Sequence, residues 1–125
     1  MAEAILNALG AGQWQAFSAG AKPAGFVHPL AIRALKESGY STEGLRSKSW
    51  DEFRIQSFDA VVTVCDHAKE SCPIFPGEAK RLHWSLVDPA GANGTEGEKR
   101  AVFFKVFGDI QRRVREFISK EEKQP

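Results

Sequence analysis

Phe58-Asp59-Ala60-Val61-Val62-Thr63-Val64-Cys65 is the stretch that decides the fold. Its apolar end places β-branched residues at consecutive positions rather than in alternation. That is the pattern of a central strand buried on both faces in a parallel sheet. The run closes on one of the chain's two cysteines, and the other, Cys72, follows in a polar segment just before Pro73. In open α/β sheets ligands gather outside the carboxyl ends of the strands. Cys65 is therefore expected at the sheet edge where chemistry takes place.

Working outward, residues 81–87 read as a further strand and residues 14–18 as a short one closed by Ala19-Gly20. Helical spacing appears at Ala4, Ile5, Ala8 and Leu9, with no Ser, Thr, Asp or Asn ahead of it as a cap. Pro29 suits the first turn of a helix that buries Leu30, Ala31, Ala34 and Leu35 and stops at Gly39. Ser49-Trp50-Asp51-Glu52 has the form of a cap and first turn. Residues 96–120 form a long amphipathic helix with Val102, Phe103, Val106, Ile110, Val114, Phe117 and Ile118 inward. Residues 65–79 and 88–98 read as loops. Strands alternating with helices specify an α/β fold, a three-layer arrangement with a parallel sheet, over one domain spanning residues 1–125.

Composition removes several functional classes. A formal net charge of +1 offers no basic footprint for nucleic acid. No apolar run approaches a membrane span, and the N-terminus is too short and too acidic for a signal peptide. The expected compartment is the cytoplasm, where a stable disulfide is disfavoured but a transient, catalytic one is not.

Cys65 and Cys72 are candidates for redox chemistry, because an accessible thiolate attacks a disulfide or an oxidised centre. The six intervening residues bring the sulfurs together only by looping or unwinding, which suits a switching segment better than a rigid bridge. The competing readings are two inert thiols, or a zinc site drawn from Cys65, His67, Cys72 and His83. Their spacing fits no compact zinc hook, so no metal and no cofactor is expected. Asp88-Pro89 either starts a turn or presents a carboxylate as general acid toward a leaving oxygen.

In order along the chain, Met1-Ala2-Glu3-Ala4, Ser18-Ala19-Gly20, His28-Pro29 with Ala31, Ser47-Lys48, residues 61–65, Cys72-Pro73 and His83-Trp84 through Asp88-Pro89-Ala90-Gly91 resemble the low-molecular-weight protein tyrosine phosphatase family. The closest resemblance is to its thioredoxin-coupled arsenate reductases. The resemblance implies reduction of arsenate to arsenite. A cysteine in a Cys-x5-Arg loop attacks arsenic, with an aspartate matching Asp88 assisting. The cysteine matching Cys65 then attacks the first, and the one matching Cys72 attacks the second. The product is a Cys65–Cys72 disulfide that thioredoxin reduces. The implied partners are thus an arsenate- or phosphate-like oxyanion and thioredoxin. Some members also bind potassium through groups matching Glu3 and Ser18, with an acidic residue where this chain has Lys48. The ammonium of Lys48 is expected to replace the ion by pairing with Glu3.

In the family the anion loop lies immediately before the Met-Ala-Glu with which this sequence opens. The expectation is a chain truncated relative to the family, lacking the first central strand and inactive alone. It would be marginally stable, or would borrow a strand from a partner. Two other readings stand beside it: a non-catalytic, thioredoxin-reducible redox or binding module, and a low-molecular-weight protein tyrosine phosphatase.

Overall fold

The computed structural model describes residues 1–20, 25, 27–64, 75–86 and 89–122. They belong to two compact units, one formed by residues 1–18, 27–45 and 88–125, the other by residues 19–26 and 46–87.

The first unit is helical. Helix α1 (Ala2–Leu9) starts without a side-chain cap, as its sequence suggests, and ends at Gly10. A Cβ on Gly10 would lie 2.9 Å from Trp14 Cβ, so glycine permits the tight return in which Trp14 N–H donates to the Gly10 carbonyl. Helix α2 (Pro29–Glu37) carries Pro29 in its first turn, and His28 Nδ1 accepts from Leu30 N–H at 3.1 Å. Gly39, at φ +84°, supplies the left-handed conformation that stops it. Helix α3 (Glu96–Glu122) opens on a capping box. Glu98 N–H donates to Thr95 Oγ1, and Glu98 Oε1 accepts from Thr95 N–H.

Both shorter helices pack on α3. Ile5 from α1, Leu35 from α2 and Val114 from α3 are the largest fully buried side chains. Each contributes about 1.5–3 kcal/mol by leaving water. Phe103, Val106, Phe107, Ile110 and Phe117 complete the buried stripe of α3. His28 stacks on Phe103, Tyr40 meets Phe107 edge-on and accepts from Gln111 Nε2 at its hydroxyl, and Trp14 tilts against Phe117.

Residues 14–18 are not a strand. Side chains of α1 take the backbone groups that a neighbouring strand would use. Asn7 Oδ1 accepts from Ala16 N–H at 2.7 Å while Asn7 Nδ2 donates to the Ala16 carbonyl, and Glu3 Oε1 accepts from Ser18 N–H. Extended pairing begins only at Gly20, in the other unit, which bridges Ser49 in parallel.

The second unit holds the sheet. Strands β1 (Ala60–Thr63) and β2 (Lys80–His83) are parallel, in the register Ala60↔Lys80 through Thr63↔His83. Hydrogen bonds extend the pairing at both ends, from Asp59 O with Lys80 N–H to Val64 O with Leu86 N–H. The fold class is therefore α/β with a parallel sheet, of two strands among the described residues. β1 is half-buried along its whole length rather than buried on both faces. Among the described residues its one hydrogen-bonded neighbour strand is β2. Before β1, a 3-10 turn (Trp50–Phe53) is capped by Ser49 Oγ. Phe53, the last residue of this turn, meets Phe58 edge-on, and Phe58 meets Phe75 in the same way.

Candidate functional site

The carboxyl ends of β1 and β2 bring together Thr63, Val64, His83 and Trp84. Thr63 and His83 are register partners, so their side chains share a face. Thr63 Oγ1 lies 2.6 Å from His83 Nδ1, and its other neighbour is the Leu82 carbonyl at 3.5 Å. His83 therefore sits on a strand and is hydrogen-bonded. Trp84 follows it into a buried position, with its N–H on the Thr63 carbonyl at 2.8 Å. Val64 is exposed and holds Leu86 N–H.

Cys65 is the next residue in the chain. Cys65, His67, Cys72 and Asp88 lie outside the described residues. The residues after Asp88 are described: Pro89–Gly91 form a 3-10 turn that packs on α3 and closes with Ala92 N–H on the Pro89 carbonyl.

Glu3 and Ser18 meet in the helical unit. Glu3 Oε1 accepts from both Ser18 N–H at 2.8 Å and Ser18 Oγ at 2.9 Å. Lys48 is placed by the second unit. Its carbonyl accepts from Gly20 N–H, and the flanking serines are both occupied, Ser47 Oγ by Gly25 N–H and Ser49 Oγ by Asp51 N–H. Lys48 is 8% exposed, and its Nζ donates to the Arg46 carbonyl at 3.2 Å. Among the described residues no cluster of His, Cys, Asp and Glu could hold a metal ion.

Arg46 forms a bidentate pair with Glu52 on the surface of the same unit. Its hydrogen bond holds the Glu52 carboxyl below the usual range. Desolvation opposes this, and the charges of Arg46 and Lys48 lower it further.

The Thr63–His83 contact was not foreseen from the sequence, because it depends on the register between two strands separated by the cysteine segment. The signal for the α3 capping box, Thr95-x-x-Glu98, stands in the sequence and fixes the start of that helix. Among the described residues no helix is long and apolar enough to cross a membrane.

Residues 1–124 match the family described as low molecular weight phosphotyrosine protein phosphatase. The chain is 41% identical over 105 residues to an arsenate reductase of Halalkalibacterium halodurans, covering 84% of this chain and 75% of that one. A solved arsenate reductase in its oxidised state superposes with a TM-score of 0.76 at 30% identity, over 95% of this chain and 86% of the other. A thioredoxin-dependent arsenate reductase of Corynebacterium glutamicum superposes with a TM-score of 0.74 at 26% identity, over 98% of this chain and 55% of that one.

Proposed function

This chain belongs to the low molecular weight phosphotyrosine protein phosphatase family, and we propose that within it the chain serves the reduction of arsenate to arsenite with electrons from thioredoxin. The observation that carries the reading is the 41% identity to a protein named arsenate reductase over 84% of this chain. The likeness to a thioredoxin-dependent arsenate reductase supports the choice of reductant.

In this reading an arsenate-bearing cysteine is attacked at sulfur by the Cys65 thiolate. The sulfur–arsenic bond breaks, its electron pair leaves with arsenic as arsenite, and a disulfide to Cys65 remains. Cys72 then attacks Cys65, releases the first cysteine as a thiol and leaves Cys65–Cys72. Two thiols are oxidised to one disulfide while arsenic gains two electrons, so the step balances. Thioredoxin returns the electrons. Asp88, directly before the Pro89–Gly91 turn, serves as the acid for the oxygen that leaves arsenic when the first cysteine attacks. No Cys-x5-Arg pattern occurs in the 125 residues. These residues by themselves are therefore assigned the relay and not the first attack.

A coupled assay with thioredoxin, thioredoxin reductase and NADPH tests the reading. The oxidised 125-residue chain should consume NADPH in proportion to its disulfide, with no turnover on adding arsenate. The same residues preceded in frame by a Cys-x5-Arg segment should produce arsenite continuously. An oxidised chain in which Cys65 and Cys72 are not disulfide-bonded, or whose disulfide thioredoxin leaves intact, would overturn it.

A further inference from the structure

We propose that Asn93 is a site of spontaneous deamidation, closing on the backbone nitrogen of Gly94, and that the isoaspartate formed there loosens the start of α3. The inference stands apart from the arsenate reading, because its chemistry needs only water.

The chain has two asparagines, Asn7 and Asn93, in opposite situations. Asparagine is thermolabile, and what surrounds it sets the rate. Asn7 lies within α1, ahead of Ala8, and both ends of its amide are engaged by the backbone of Ala16. Asn93 is exposed, in the irregular stretch between the Pro89–Gly91 turn and α3.

The Gly94 amide nitrogen, after giving its proton to solvent, attacks Asn93 Cγ. A C–N bond forms, the Cγ–Nδ2 bond breaks, and the leaving nitrogen takes up a proton and departs as ammonia. Water then opens the succinimide ring. Addition at Cγ gives aspartate, and addition at the Asn93 backbone carbonyl leaves Gly94 attached through Cγ, as isoaspartate. Water replaces ammonia, and nothing is oxidised or reduced.

A side chain on residue 94 would shield the attacking nitrogen, but the fold keeps glycine there. Gly94 stands at φ +112°, and a Cβ on it would lie 2.8 Å from Glu98 Oε2. The capping box holds that carboxylate in place, with Glu98 Oε1 accepting from Thr95 N–H and Thr95 Oγ1. The geometry that begins α3 thus preserves the susceptible pair.

The two products differ in consequence. Aspartate adds one negative charge, which the positive end of a helix tolerates. Isoaspartate routes the backbone through Cβ and Cγ, one carbon longer, between two anchored points. One is Ala92 N–H on the Pro89 carbonyl, and the other is Glu98 N–H on Thr95 Oγ1. The added carbon displaces Gly94 and with it the capping box. Glu96, Gly97 and Glu98 are exposed, and the first buried residue of α3 is Phe103. The loosening is therefore confined to the helix start.

The test holds the full chain, folded, at mildly alkaline pH and samples it by ion exchange and peptide mapping. An acidic form should accumulate. Its tryptic peptide of residues 82–99 should carry the mass change of NH exchanged for O and accept methyl groups from an isoaspartyl methyltransferase. The rate should rise about tenfold per pH unit, as the anion of a very weak acid does. Asn93→Gln, which closes a larger and less favoured ring, should remove the acidic form. In the isolated isoaspartate form the Glu98 and Lys99 amides should exchange hydrogen about fivefold faster, the effect of losing an N-cap. Asn93→Asp should match the fresh chain. Deamidation at Asn93 no faster than at Asn7 overturns the site. Unchanged exchange in the isoaspartate form overturns the loosening, and so does an Asn93→Asp chain that loosens as much, since charge alone would then account for it.

Discussion

Thr63 and His83 face each other across the last register step of the parallel pair, joined by a 2.6 Å contact between Oγ1 and Nδ1. Both side chains are part-buried, so the contact is shielded from competition with water. Replacing Thr63 with Val preserves the branched shape and β-propensity but removes the hydroxyl. The expected cost is about 1–3 kcal/mol, the penalty for leaving a buried polar partner unsatisfied. Denaturant unfolding measures it, and Thr63→Ser should recover most of the loss. Nitrogen chemical shifts of His83 should show a changed tautomer balance in Thr63→Val. A shift pattern identical to the parent's would show that the hydroxyl does not orient the ring.

The Arg46–Glu52 pair makes a prediction about acid. The arginine hydrogen bond lowers the Glu52 carboxyl below 4.5 in the folded chain. A group whose folded value is depressed lends stability above its unfolded value and loses it as the pH falls through the folded one. The contribution should therefore be complete at neutral pH and fade below the ordinary glutamate range. Both partners are largely exposed, so the effect is small and screened by salt. A carboxyl titration followed by NMR should show the Glu52 midpoint rising in Arg46→Gln. An unmoved midpoint would mean that the pair does not persist in solution.

How far the sequence discloses this molecule depends on whether each signal is local. Pro29, Gly39 and the apolar spacing of Ala31, Ala34 and Leu35 bound α2 almost as the structure has it. The stripe through Phe103, Val106, Ile110, Val114 and Phe117 marks α3 and its buried side. Residues 14–18 mislead because the partners of Ala16 and Ser18 are side chains on α1, and no feature within the segment reveals that. β1 is only half-buried despite its apolar run, since strand hydrophobicity does not report how many neighbours a strand has. Of the candidate site, Glu3, Ser18 and Lys48 are visible with their contacts. The Thr63–His83 pair needed a register that no single-strand pattern encodes.

The edge-on series Phe53, Phe58 and Phe75 is the aromatic centre of the second unit. Phe75 is buried and meets Phe58 at a centroid distance of 5.3 Å. Truncation to Ala removes a buried ring and leaves a cavity, with an expected cost of about 3–5 kcal/mol. Phe75→Leu should recover part of it by filling some of the volume, but not the edge-to-face contact. Thermal unfolding of both variants checks the order. Equal stability of the Leu and Ala variants would show that the site collapses freely around either side chain.

Lys48 carries the prediction about potassium. Its ammonium is buried and donates to the Arg46 carbonyl, and burial of a lysine is tolerated only where its charge is satisfied. A potassium ion needs oxygen ligands, and an ammonium at this position supplies repulsion instead. Melting of the chain should therefore be the same in equal concentrations of potassium and sodium chloride. Lys48→Met keeps most of the side-chain volume but removes the donor, with an expected loss of about 1–3 kcal/mol. A parent chain stabilised by potassium over sodium would show that Lys48 does not take the place of the ion.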